Sequence, residues 1–538
     1  MRIILQKTIA MKTSIKFLAL LFSISTLSIV ANAQQVNSLY FMENNPMRHN
    51  LNPAFQPQTD FYISLPFLGS TQLNYGNNSL TIKDLIYNYN GQTVSFLHPT
   101  GGDLDKFYNT LKTTVDMNGE MHTNILSLGM NYKKAYWSFT ISEKNEGRMG
   151  LPKDFFRLSL YGASDINTNV FDFKSMENDI TAYTEFAFGY SKKLDDKWTV
   201  GGKIKLLMGL SAINNTNNEL NLNAGADKWN LKGSGIANIA CPAQICVTNN
   251  FKSMTLLFPS SDLNWLKPSG MGAGIDFGVN YKLNDNLNLS ASITDFGFIR
   301  WGGNIQNIDY NVDYSFDGVG KVDKGTNFNT VLDVFNKMIS GNSLVDSLSK
   351  AFESSANLKY NSNSFVTSTT GKINIGAEYK MYENHLSVGL ISRTLLLKNS
   401  LSEEITVSLN ARPTQKLNAT FSYSLFNGHL STFGAAIGIR TGFVHWFVSG
   451  DYIPFQKTSL SLKDVNNTLP DFKIPIPTNS KNFNLALGLN IVFNNKTKDL
   501  GLIKKSYGVK KEFVNSKLKR SAKGIPRDMY TGLYGSRL

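Results

Sequence analysis

A chain of 538 residues with 54 Lys and Arg, 40 Asp and Glu and a formal charge of +14 admits several soluble domains, a membrane protein or a nucleic-acid binder. The charge is uneven: residues 1–33 hold four basic and no acidic residues, 496–538 hold twelve basic and three acidic, and 34–495 hold 38 basic and 37 acidic. A nucleic-acid role is therefore excluded for the main body, and because the only long apolar run is N-terminal, so is a polytopic helical membrane protein.

That run, Phe17 to Val30, follows Lys12 and Lys16 and ends in Ala31-Asn32-Ala33, the layout of a signal peptide over residues 1–33 with Gln34 as the mature N-terminus. Met11 is an alternative start, and no Cys follows the apolar core to take a lipid. Residues 34–59 are polar and carry Asn44-Asn45-Pro46 and Asn50-Leu51-Asn52-Pro53-Ala54-Phe55. An Asn-Pro pair favours a turn, since proline pushes the preceding residue out of the helical region and the Asn side chain can bond its own backbone.

A first strand is expected from about Asp60 to Tyr75, broken near Pro66 and Gly69. Leu80 to Tyr87 and Asp103 to Val115 have helix-like spacing, with Leu104, Phe107, Tyr108, Leu111 and Val115 on one face, suited to capping or plugging a barrel. From Met121 onward strands come in pairs: 121–132 with 135–148, 177–193 with 197–213, 270–283 with 285–298, 366–382 with 385–397, 402–412 with 415–426, and 430–442 with 444–453. Tight joins within pairs contrast with long connections between several of them, at 149–176, 214–269, 299–365 and 454–481. A last strand spans about Asn482 to Asn494. Alternation is cleanest from Gly371 to Phe493, where Phe483, Leu485, Leu487, Leu489, Ile491 and Phe493 share one face.

The runs are about ten residues or longer, enough for a tilted strand to cross a bilayer. Six hairpins plus the first and last strands predict an all-β, transmembrane antiparallel β-barrel of about 14 strands over residues 60–495, with short periplasmic turns and long extracellular loops. Tyr132, Trp137, Tyr281, Trp301, Tyr379, Tyr382, Trp446 and Tyr452 lie near strand ends and suit the two interfacial girdles. A soluble sandwich would also alternate, but strand length and the turn and loop asymmetry oppose it.

With apolar faces toward lipid, the lumen receives Lys372, Asn374, Glu378, Lys380, Arg393, Ser408, Asn410, Arg412, Asn418, Thr420, Ser422 and Arg440, a polar set of mixed charge that could hydrogen-bond a plug or line a solute path. Cys241 and Cys246 are the only cysteines, and export favours a disulfide stapling an external loop. No nucleophile elbow, metalloprotease helix or P-loop occurs, and pairing His445 with Ser422 or Ser424 is weak. Asp309, Asn311, Asp313, Ser315 and Asp317 resemble a calcium loop, yet Tyr314 stands where Gly is needed and Gly320 where Glu is needed; a polar hairpin face is the plainer reading. Gly270, Gly272 and Gly274 suit close packing of a plug or neighbouring strand. No catalytic residue, metal site or cofactor is assigned.

The Asn52-Pro53-Ala54-Phe55 element near the mature N-terminus resembles the N-terminal plug of the long-chain fatty-acid transporter (FadL) family of outer-membrane barrels, and similar elements open secretion-associated barrels of Bacteroidota. Tyr62-Ile63-Ser64-Leu65-Pro66, Phe96-Leu97-His98-Pro99, Ile125-Leu126-Ser127-Leu128-Gly129 and Leu151-Pro152-Lys153-Asp154-Phe155-Phe156 are similar to an uncharacterised Bacteroidota outer-membrane family known only as a domain of unknown function. The resemblance implies a FadL-like barrel in the outer membrane of a Gram-negative cell, with residues 34–59 as a luminal plug, and brings no activity. Two functions follow as expectations: passage of a small, apolar solute, or a non-transporting scaffold for a protein partner in secretion, gliding or envelope assembly. For the second, Phe328, Val331, Leu332, Phe335 and Met338 with Leu344, Val345 and Leu348 form a candidate amphipathic cap. The basic tail 496–538 reads as a solvated periplasmic extension able to meet an anionic partner, with Tyr507, Phe513, Tyr530 and Tyr534 as anchors.

Overall fold

The computed structural model describes residues 37–493 apart from 90–91, 99, 162–169, 226–227, 242–243, 248–253, 258–266, 317–358, 398–399, 427–428, 454–456, 463–471 and 478–480. The signal segment, the 328–348 cap and the 496–538 tail lie outside the described residues. So does the Cys246 side chain, and with it the expected disulfide.

Among the described residues fourteen strands close into an antiparallel ring. We number them β1 (Phe61–Ser64 and Thr71–Asn77), β2 (Thr114–Tyr132), β3 (Ala135–Pro152), β4 (Glu177–Lys193), β5 (Trp198–Ala224), β6 (Gly270–Lys282), β7 (Leu287–Trp301), β8 (Phe365–Ser368 and Gly371–Met381), β9 (Leu386–Leu397), β10 (Ser400–Thr414), β11 (Leu417–Phe426), β12 (His429–Thr441), β13 (Val444–Ile453) and β14 (Asn482–Phe493). The ring closes because Phe61 of β1 pairs with both Met130 of β2 and Phe493 of β14. The break in β1 falls where Pro66 has no amide to give. There Phe67 N donates to Asn124 O at 3.1 Å and Leu489 N to Leu68 O at 2.7 Å, so both neighbouring strands stay satisfied.

Along β14, Phe483, Leu487 and Phe493 are exposed while Asn482, Asn484 and Asn490 are buried. The same inversion runs round the ring: Ile204 is 67% exposed and Ile375 60%, whereas Lys372 is 0% and Arg393 1% exposed. Apolar side chains outside and charged ones inside are stable only when the outer solvent is hydrocarbon, as in a membrane barrel.

Two of the expected girdle aromatics face inward instead. Trp301 and Tyr452 are buried, at 0% and 1% exposure. In β7 the register with β6 shifts between Ile275 and Phe277, and Asp295 opposite takes a φ of 57°; this bulge reverses the alternation, so Ile293 and Phe296 both face out and Trp301 turns in. Tyr452, with φ 64°, lies within a comparable shift between β12 and β13.

The expected loops 214–269 and 299–365 are partly strands. β6 follows β5 only as far as Gly209, and above that level β5 pairs with Trp229–Ala240, which pairs with Ile305–Phe316. Asn214 to Asn218 show no alternation, yet Leu220, Leu222 and Ala224 beyond them pack with Phe171, Trp229, Leu231 and Val312. Asp309, Asn311, Asp313 and Ser315 project at period two from Ile305–Phe316, and Asn230 Nδ2 donates to Asp313 at 2.9 Å, the plainer of the two readings. The expected helix at 103–115 ends at Thr110, capped at its start by Asp103 Oδ1 accepting from Lys106 N; the β-branched pair Thr114-Val115 opens β2 instead. Phe107, Leu111 and Val115 nevertheless share a cluster with Leu80, Phe96, Phe156 and Leu160. A helix not foreseen, Lys153–Tyr161, supplies the last two.

Candidate functional site

Residues 37–58 run inside the ring. Their turns follow from local chemistry: Asn45 Oδ1 accepts from Met47 N at 3.0 Å and Asn52 Oδ1 from Ala54 N at 2.9 Å, each a side chain bonding the backbone two residues on. Asn52 Nδ2 donates to the carbonyls of Val279 and Ala291 at 3.4 and 3.2 Å. Leu51 O accepts from Ser292 at 3.0 Å and Lys203 Nζ donates to Asn50 at 2.6 Å. Ser38 bonds Asp451 and Ser422, and Asn37 donates to Thr406 at 3.0 Å. Pro53 and Ala54 lie against Gly201, and Phe55 stacks edge-on with Tyr40 at 5.1 Å.

Inward glycines make room for this path. A Cβ on Gly201 would overlap Pro53 O, one on Gly278 Asn52 Oδ1, and one on Gly389 the Phe41 ring. Of the two packings expected for Gly270, Gly272 and Gly274, the neighbouring strand is the one found, since added Cβ atoms there would meet residues of β7 and β5. Gly201→Val combined with Gly278→Val is therefore expected to displace the segment and raise conductance in planar bilayers without altering the lipid face; a double variant conducting like the parent would contradict the fit.

The sequence-assigned lumen residues hold the segment from several sides. Lys380 Nζ is 2.6 Å from Glu43 Oε1. Arg412 donates to Phe41 O at 2.7 Å and pairs with Glu378. Arg393 bonds Asn37 and, at 2.7 Å, Asn374. Arg440 is half-buried and donates to Gly442 O at its own turn. His445 is buried with no hydrogen-bond partner on either ring nitrogen among the described residues, while Ser422 serves Ser38 and Asp451. The imagined pair is thus not assembled.

The other half of the lumen is crossed by a charge network of which the sequence reading held only Lys372. Asp295 Oδ1 lies 2.6 Å from both Lys144 and Lys205, and its Oδ2 lies 3.4 Å from Lys372. Lys205 also meets Asp276 at 2.7 Å, Lys144 meets Glu185 at 2.9 Å, and Lys372 meets Glu120 at 3.3 Å. One residue from each strand β2 to β8 joins the network. Since β8 and β2 stand six places apart in the ring, the Lys372 to Glu120 contact bridges the lumen. The signal was present: Lys203 and Lys205 alternate with Ile204 and Leu206, the same period that exposed Lys372 and Asn374.

Two titratable groups of the segment make its seating pH-dependent. Burial, with Lys203 adding to it, holds His49 well below its ordinary value, and its Nε2 is 2.6 Å from Tyr62 Oη. Burial alone would raise the Glu43 carboxyl, but Arg412, Lys380 and Arg48 outweigh it and hold it below the carboxylate range. Both pKa values are depressed by seating, so the seated state is favoured above the ordinary pKa and loses stability as pH falls through it. For His49 that loss starts at about pH 6.5, for Glu43 only below about pH 4.5. Conductance is expected to rise as pH drops from about 7 to 5, and His49→Gln to flatten that step; a step unchanged in the variant would exclude His49.

A family model matches residues 53–451, most of the chain. The chain belongs to the Family of unknown function (DUF5723). The DUF5723 span opens at Pro53 and contains the entire charge network. Solved structures similar to this DUF5723 chain include a Pseudomonas aeruginosa FadL homologue, with 12% identity, 87% of this chain and 100% of that one covered and a TM-score of 0.39. The toluene transporters TodX of P. putida (8% identity, 87% and 97% covered, TM-score 0.38) and TbuX of Ralstonia pickettii (8%, 86% and 96%, 0.37) are also similar. The likeness is one of fold. No curated protein sequence matches.

Proposed function

We propose that this DUF5723 barrel is an outer-membrane passage of FadL-like type for a small apolar solute, held shut by residues 37–58 as a plug and by the charge network beside it. The observation that carries the proposal is the surface under the plug. Leu39, Phe41, Met42, Met47, Leu51 and Phe55 pack against wall residues Ile391, Ala436, Phe447, Ala486 and Val492, so withdrawal of the plug uncovers an apolar strip beside polar groups, a lining suited to an apolar solute. The signal segment and the outward apolar band support the outer membrane as the location, and the motifs at Tyr62–Pro66 and Leu151–Phe156 support a Bacteroidota-like source.

The second reading, a scaffold, is favoured by the sheet that β5 continues beyond the ring with Trp229–Ala240 and Ile305–Phe316, more than a passage needs. The basic tail would serve either reading by meeting an anionic periplasmic partner. Native mass spectrometry of the barrel extracted from membranes, with chemical crosslinking beforehand, separates the two. Passage expects a co-purifying small apolar ligand and no stoichiometric protein; a stable protein partner with no such ligand would favour the scaffold.

A further inference from the structure

A partly open cavity of about 60 Å³ lies between β2, β3, β4 and the join in β8, and none of residues 37–58 lines it. Glu120 and Glu146 stand in its wall as register partners across β2 and β3. Two carboxylates directly opposite on one face repel each other. Their bonds do not cancel this. Lys372 Nζ lies 3.3 Å from Glu120 Oε2, but the same ammonium is shared with Asp295 at 3.4 Å. Glu146 accepts from neutral hydroxyls, Tyr183 at 2.6 Å and Thr370 at 2.8 Å, and forms no ion pair among the described residues. Arg148, the one base in the wall, pairs with Asp116 at 3.2 Å, and Asp179 adds a third carboxylate to the lining. Asn118, two residues before Glu120, lines the cavity too. It is 5% exposed, and neither its Oδ1 nor its Nδ2 has a hydrogen-bond partner among the described residues; Glu120 Oε1 has none either. Whichever way the amide is turned, its carbonyl oxygen goes unbonded, which is costly for a buried group unless something fills it.

We propose that this cavity holds a calcium ion, ligated by the carboxylates of Glu120 and Glu146 and by Asn118 Oδ1. The donors are all oxygens, which select a hard cation. They come from two strands in no regular array, which suits calcium, whose shell of six to eight oxygens is flexible, better than magnesium, which demands a near-ideal octahedron. At about 30 Å³ per water the space equals some two waters, enough for a metal ion with a water or two and too little for an organic cation. Thr181, Ser368 and Thr369 in the same wall supply further oxygens, and Asn118 Nδ2 donates to a bound water. Lys372 and Arg148 nearby keep the affinity modest, on the order of 10⁻⁴–10⁻³ M, as at extracellular calcium sites. The ion ties β2 and β3 to the join in β8. The inference is independent of passage, since it needs neither a solute nor movement of the plug.

The test is titration of the detergent-purified, chelator-treated full chain at neutral pH with terbium, a luminescent stand-in for calcium, followed through tyrosine-sensitised emission. Tyr183, whose hydroxyl bonds Glu146, places its ring beside the ion. A saturable signal that calcium reverses, with magnesium a competitor at least about tenfold weaker, is the expected result. Glu146→Gln removes a charged ligand and is expected to weaken binding about tenfold or more. Asn118→Ala is expected to weaken it about two- to fivefold, the scale of one neutral ligand. Asn118 makes no hydrogen bond among the described residues, so a merely structural role would leave the affinity unmoved by that change. Should Glu146→Gln fail to give the heat-modifiable folded band, Asn118→Ala decides alone. No saturable signal, displacement by magnesium as readily as by calcium, or an affinity unchanged in either folded variant would overturn the proposal. The binding is read without a membrane or gradient, so its failure leaves the passage reading intact.

Discussion

Removing residues 35–58 is expected to leave a folded ring whose conductance in planar bilayers clearly exceeds that of the intact chain. Ring closure does not depend on the segment, because β1 pairs with β2 and β14 through its own backbone. The groups the segment leaves behind, including Asn374, Arg393, Ser422 and Asp451, are polar and take water in its place. Part of the lumen stays crossed, since Lys372 still reaches Glu120 there. Heat-modifiable migration confirms the fold, and single-channel recording gives the readout. A folded deletion with the parent's conductance would show that the segment does not close the path.

The second large effect belongs to Asp295. Three lysines converge on its carboxylate, and Asp295→Asn removes the charge while keeping a residue type that tolerates the left-handed backbone found there. Breaking a buried ion pair from one side typically costs about 3–5 kcal/mol, because the remaining charges stay buried without their counterion. The urea midpoint of the folded barrel is expected to fall accordingly. Combined with the 35–58 deletion, the same substitution is expected to raise conductance beyond the deletion alone, as the bridge across the lumen loosens. A midpoint matching the parent's would mean that water or Glu185 and Asp276 already satisfy the lysines.

The ring was legible because its outward faces obey a period of two through most strands, and the even count followed from pairing tight turns. The outward face of β14, from Phe483 to Phe493, was read residue by residue for that reason. What the period could not show was where it resets. Trp301 sits beyond an irregular register and Tyr452 within one, and a one-residue slip exchanges lipid for lumen without leaving a mark in composition. The extension of β5 was hidden by Asn214 to Asn218, whose uniform polarity conceals which side chains turn inward. The charge network escaped for a different reason: its members come one per strand from seven strands, so only the folded ring brings them together. The Asn-Pro turns near Asn45 and Asn52 were visible as local chemistry, but their cradle of inward glycines was not, because a strand glycine looks the same whether it faces a neighbour or a plug.

The seam where Phe61 meets Phe493 also governs the order of assembly. The first strand has its second partner only after the last strand has been made and exported, so the sheet spends its whole synthesis with two open edges. Contacts this distant in sequence form slowly, since a long loop must be closed before any bond repays it. Until then β1 and β14 present unpaired backbone to any passing strand, a standing invitation to aggregate. Such a chain depends on being held unfolded in transit and on a template at the membrane that occupies its edges until they can find each other.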